Sequence, residues 1–121
     1  MEFEKPSYTY NATLLKVIDG DTIDVMIDLG CHTSIRKRLR FLEIDTEELR
    51  DRDTERREDA AEAKERVKHL LENADKIYVQ TVMDSTGKYG RLLAYVWYED
   101  EYGVQNLNTQ LLREGFQKKK R

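Results

Sequence analysis

Hydrophobic and polar residues alternate along the first third of the chain in three successive stretches. Tyr8 to Ile18 is rich in strand-forming residues and runs into Asp19-Gly20-Asp21, a tight-turn tripeptide. The next stretch sets Ile23, Val25 and Ile27 on one face and Thr22, Asp24, Met26 and Asp28 on the other, and stops at Gly30. From Ser34 to Ile44, Ile35, Leu39 and Phe41 oppose Arg36, Arg38 and Arg40, after which Leu42 and Ile44 break the alternation toward burial on both sides. The period then changes. Asp45 to Asp59 carries no consistent repeat and predicts a surface loop leading into a helix, whose stripe of Ala60, Ala63, Val67, Leu70, Leu71 and Ala74 has helical spacing. Lys76 to Val82 and Leu92 to Tyr98 predict two further strands, joined by residues 83–90. Asn106 to Glu114 predicts a short helix with Leu107, Leu111 and Leu112 inward and Gly115 at its end.

The resulting order is three strands, a helix, two strands and a helix. Five strands with a helix between the third and fourth predict an α+β fold, a five-stranded Greek-key barrel of the OB type. At 121 residues the chain has room for one domain, with a core at about 8–116 and a basic tail at 117–121.

Composition narrows the class. With 37% charged, 39% hydrophobic and 9% aromatic residues, the chain is polar but can fill a core, which argues against disorder. No apolar run approaches the ~18 residues of a membrane span. The opening Met1-Glu2-Phe3-Glu4-Lys5-Pro6 has neither the basic start nor the apolar stretch of a secretion signal, so a cytoplasmic chain, or one trimmed of a leader, is expected. Cys31 is the one cysteine, which excludes an internal disulfide and a cysteine-based zinc site. A monomer without a disulfide-linked or membrane partner is the expectation.

The net charge of −3 conceals segregation. Asp19, Asp21, Asp24 and Asp28 oppose only Lys16 between Leu15 and Asp28, whereas Arg36, Lys37, Arg38 and Arg40 fall within five residues. The chain ends Lys118-Lys119-Lys120-Arg121. An acidic focus beside basic segments suits a metal site that handles an anion. A solvated, mixed-charge surface accounts for the same composition.

Individual motifs leave similar alternatives open. Asp19-Gly20-Asp21 offers two carboxylates for a hard cation, or simply turns a hairpin. Its glycine stands second in the acidic pattern instead of sixth, so it is not an EF-hand. Asp45-Thr46-Glu47-Glu48 follows the third strand and would complete a two-carboxylate site if Asp45 lay near Asp21; it is otherwise a charged loop start. Arg40 offers a planar fork of donors to phosphate oxygens, or is one of four surface cations there. Lys88-Tyr89-Gly90-Arg91 would suit a phosphate, or a solvated glycine-rich turn. His32 and His69 have no partner at metal-ligand spacing.

Taken in order, Val17-Ile18-Asp19-Gly20-Asp21-Thr22, Arg40, Asp45-Thr46-x-Glu48 and Lys88-Tyr89-Gly90-Arg91 resemble the staphylococcal nuclease (thermonuclease-like) family. Supporting matches lie in Glu72-Asn73-Ala74-x-Lys76-Ile77, in Leu93-Ala94-Tyr95-Val96 and in Asn108 to Gly115, so the resemblance covers about Asn11 to Phe116. It implies an OB-fold barrel and calcium-dependent hydrolysis of DNA or RNA phosphodiesters that leaves 3′-phosphate ends. By the same resemblance Asp21, Asp45 and the backbone carbonyl of Thr46 hold Ca2+, and Asp19 stands one step behind them. Glu48 takes the place of the general base, and Arg40 and Arg91 grip the scissile phosphate. Lys88 and Tyr89 touch a neighbouring phosphate. The pattern departs from the family at Glu47, where proline is usual, which would bring a second carboxylate to the metal. Some relatives bind nucleic acid or protein without cutting, typically after losing catalytic carboxylates or arginines; this chain retains the full set.

Overall fold

Six strands and two helices alternate along the residues that the computed structural model describes, 8–49, 52–82 and 92–117. They are β1 (Thr9–Asp19), β2 (Thr22–Gly30), β3 (Thr33–Phe41), α1 (Thr54–Glu72), β4 (Lys76–Val82), β5 (Leu92–Asp100), β6 (Gly103–Asn106) and α2 (Leu107–Arg113). The sheet runs β3-β2-β1-β4-β5-β6, antiparallel at each of these steps. One parallel pairing closes it: Leu39, Arg40 and Phe41 of β3 lie beside Leu92, Leu93 and Ala94 of β5. Five strands therefore form a closed OB-like barrel, and β6 continues the sheet beyond β5.

The period-two pattern decides the interior. Ile23, Val25 and Ile27 of β2 and Leu39 and Phe41 of β3 point inward and are almost fully buried, joined by Val17, Val79, Ala94 and Val96. Val67 and Leu71 of α1 and Leu107 and Leu111 of α2 pack into the same core. β1 serves two partners, β2 and β4, and shifts register twice against β2, between Leu14 and Lys16 and between Val17 and Asp19. Such irregularities bend a strand and increase its twist, as a small barrel requires. The second lies beside the β1–β2 turn.

Four sequence expectations need correction. A sixth strand follows β5, because Asp100 accepts the Tyr102 N–H at 2.8 Å and Gly103 takes a positive φ of 114°, turning the chain into a hairpin. β3 stops at Phe41 instead of Ile44, since the Leu42 N–H makes the last bond of the pairing with β5, to the Ala94 carbonyl at 3.0 Å, and Glu43 then adopts φ 65°. Helix α1 begins at Thr54, six residues before its apolar stripe, with Asp53 capping the Glu55 and Arg56 N–H groups. On α2, Leu112 faces outward and Asn108 inward: Leu112 is 38% exposed and Asn108 only 1%.

Among the described residues, no helix is long and apolar enough to cross a membrane.

Candidate active site

Three segments meet where β3 leaves the barrel. The β1–β2 turn delivers Asp19 and Asp21, β3 delivers Arg40, and the irregular segment after β3 delivers Asp45, Thr46 and Glu48. Backbone bonds hold the first two together: the Phe41 N–H donates to the Asp21 carbonyl at 2.8 Å, and Arg40 stands in register with Thr22. The Asp21 carboxylate holds the third, accepting the Thr46 N–H at 3.1 Å. It also accepts the Thr22 hydroxyl at 3.0 Å, while the Asp21 N–H donates to Asp19 at 3.2 Å.

Arg40 ties the two key acids to one guanidinium. Its Nη2 donates to Asp45 Oδ1 at 2.8 Å and its Nη1 lies 3.6 Å from Asp21 Oδ2. A cleft of about 310 Å³ opens here, lined by Ile18, Asp19, Asp21, Thr22, Arg40, Asp45, Glu48 and Leu49. The sequence-predicted residues Asp19, Asp21, Arg40, Asp45 and Glu48 thus line one cavity, with Thr46 buried directly behind them. Lys88, Tyr89 and Arg91 lie outside the described residues. Glu47 does not join the cleft. It is 5% exposed and lines a separate cavity with Asp59, Glu62 and Glu114, so it brings no second carboxylate to the site.

The electrostatics favour a bound cation. Burial, and then the adjoining Asp19 carboxylate, push the Asp21 pKa above the ordinary range; the Arg40 charge and the Thr46 N–H oppose this only in part. A buried carboxylate with a second acid beside it is costly to ionise, and a positive ion relieves that cost. The donors are all hard oxygens, which fit a calcium- or magnesium-like ion. Among the described residues no three Asp, Glu, His or Cys side chains form a ready-made cage. Backbone carbonyl and water oxygens would have to complete the shell, as hard cations accept.

Two residues that shape the site were not assigned a role from sequence. Gly20 reads as a turn residue, yet its constraint is proximity: a Cβ there would lie 2.5 Å from the Ala63 Cβ on α1 and 2.8 Å from the Thr46 hydroxyl. Gly20→Ala should therefore cost about 1–3 kcal/mol of stability by overpacking and displace Thr46 from Asp21. Chemical denaturation beside wild type checks the first part, and wild-type stability would show that α1 yields freely. Asn108 is the second. Its amide donates to the carbonyls of Leu42 at 2.8 Å and Ala94 at 3.0 Å, and its oxygen accepts the Val96 N–H at 3.0 Å. It therefore pins the end of β3, where the segment carrying Asp45 begins.

The chain is similar to known proteins over most of its length. A family model described as staphylococcal nuclease homologue matches residues 38–120. The chain is 33% identical over 107 residues to the thermonuclease of Staphylococcus hyicus, an alignment covering 88% of this chain and 57% of that protein. It is 37% identical over 106 residues to endonuclease YncB of Bacillus subtilis (strain 168), covering 87% of this chain and 46% of the relative. The chain spans about half the length of these curated relatives.

Proposed function

The chain belongs to the staphylococcal nuclease homologue family, and from that premise we propose that it is a calcium-dependent nuclease acting on DNA or RNA and leaving 3′-phosphate ends. The observation that carries the reading is the Arg40 guanidinium shared by the buried Asp21 and by Asp45 at the mouth of one cleft. Two acids and a fork of donors in that arrangement suit a phosphodiester, whose own negative charge must be neutralised before a nucleophile can approach.

Asp21, Asp45 and the Thr46 backbone carbonyl would hold the ion, with Asp19 orienting Asp21 through its N–H. A calcium ion bound there would supply positive charge to the phosphate oxygens and a water of raised acidity. Glu48 lines the same cleft and, as general base, takes a proton from the attacking water onto its carboxylate. The new bond forms from that water oxygen to phosphorus, and the bond to the 5′ oxygen breaks, which leaves the phosphate on the 3′ side. Arg40 neutralises the equatorial oxygens as charge accumulates. By family resemblance Arg91 stabilises the departing oxygen, and Lys88 and Tyr89 hold the neighbouring phosphate.

Cleavage of single-stranded DNA should appear with calcium, vanish with a chelator and recover poorly with magnesium, which demands stricter octahedral geometry. Full activity in the chelator would overturn the assignment, and salt-dependent binding without cleavage would make the chain a binding module. Glu48→Gln keeps the shape of the side chain but cannot accept the proton. It should lower kcat by ~10²-fold or more with the circular dichroism spectrum unchanged. A wild-type rate would exclude Glu48 as the base.

A further inference from the structure

Arg36, Arg38 and Arg40 project from one face of β3, alternating with Lys37, Leu39 and Phe41. They recur about every 6.6 Å along the strand. Arg40 enters the cleft, whereas Arg38 and Arg36 lead away from it over the outside of the barrel. In register with them, β2 places Asp24 beside Arg38 and Met26 beside Arg36, and β1 places Lys16 on the far side of Asp24.

Asp24 organises this face. Its carboxylate accepts Arg38 Nε at 2.8 Å and Nη2 at 3.2 Å and lies 3.5 Å from Arg36 Nη2. Asp24 is 4% exposed, but the Arg38 and Arg36 side chains remain 57% and 65% exposed. One buried acid thus aims two guanidiniums without cancelling them. Even with Asp19 counted near Arg38, the cations Lys16, Arg36 and Arg38 outnumber the acids. The proposed reaction uses none of the three.

We propose that Arg38 and Arg36 form a track for the phosphates of the substrate strand beyond the scissile one, so that the site takes a polynucleotide in preference to a dinucleotide. The inference rests on the nuclease reading for the direction of the strand, which leaves Arg40 and passes over Arg38 and then Arg36. Charge complementarity and continuity with the cleft select the backbone of a nucleic acid. Each guanidinium offers a bidentate fork to a phosphate, and such contacts position a strand without reading its sequence.

The test is equilibrium binding of a fluorescein-labelled oligothymidylate of about 16 nucleotides, near the upper end of what one OB barrel covers. It is run in a chelator over a range of salt concentrations. The Arg36→Gln/Arg38→Gln variant should bind on the order of tenfold more weakly at low salt, and its salt slope should fall by up to about 1.4, or ~0.7 per lost phosphate contact. Lys37→Gln removes the same kind of charge from the opposite face of the strand and should leave the slope in place. Arg36→Gln alone leaves the Arg38–Asp24 pair intact and should lower the slope by ~0.7, which keeps the proposal testable if the double variant fails to fold. An unmoved slope in the folded double variant or in Arg36→Gln, an equal loss in Lys37→Gln, or no salt-dependent binding by the unmodified chain would each overturn the track. Cleavage of the same oligonucleotide with calcium is followed separately. Its absence beside intact binding would sink the nuclease reading alone.

Discussion

Replacing Arg40 by lysine should reduce the rate of phosphodiester hydrolysis at least ~10²-fold, or ~3 kcal/mol of transition-state stabilisation. The substitution keeps the positive charge, so the loss reads geometry. Arg40 reaches two carboxylates at once, through separate nitrogens of one planar group, from a backbone held between β2 and β5. An ammonium is a single point of charge on a flexible stem and cannot span both or present two parallel donors to a phosphate. The effect should fall mainly on the single-turnover rate, since the contact gains most as charge develops in the transition state. Single-turnover cleavage and oligonucleotide binding measured side by side decide it. Equal falls in both would make Arg40 an anchor only. A preserved rate would show that charge at this position suffices.

Asn108→Leu should destabilise the fold by about 3 kcal/mol or more, although Asn108 makes no hydrogen bond to the cleft's lining. Leucine has the same branched outline, though it is larger, and satisfies none of the three groups that Asn108 serves. The Val96 N–H would be left without that partner in a buried setting, at ~1–3 kcal/mol, and the Leu42 carbonyl in a partly buried one, at the lower end of that range. The Ala94 carbonyl still accepts the Leu42 N–H at 3.0 Å and loses less. Because Leu42 opens the segment carrying Asp45 and Thr46, cleavage should decline well below the unfolding midpoint. Denaturant titration and activity over the same temperature range test both halves. A variant as stable as wild type would mean that water replaces the amide.

The barrel was legible where burial is one-sided. In β2 the alternation of Ile23, Val25 and Ile27 with polar residues marks one inward face, and all three are buried. β6 offers only Val104 among four residues, too little for any period, and its existence depends on pairing with β5. The first turns of α1 are polar and largely exposed, so the apolar stripe begins well after the helix does. Asn108 looks like any polar residue on an amphipathic helix, because the carbonyls it serves are distant in sequence. Gly20 reads correctly as a turn residue and for the wrong reason, since Ala63 becomes its neighbour only after α1 packs. The site residues themselves were found by their order along the chain. Their convergence depends on the Asp21–Thr46 bond, which no local pattern encodes.

The closing pairing of the barrel covers only residues 39–41 of β3, against 92–94 of β5. Among the described strand pairings this is the shortest seam, three residue pairs long. Arg40 is its middle residue, so the guanidinium of the cleft stands on the segment that shuts the barrel. Were the seam to open, Arg40 would be held by β2 alone, so closing the barrel also steadies the guanidinium between Asp21 and Asp45.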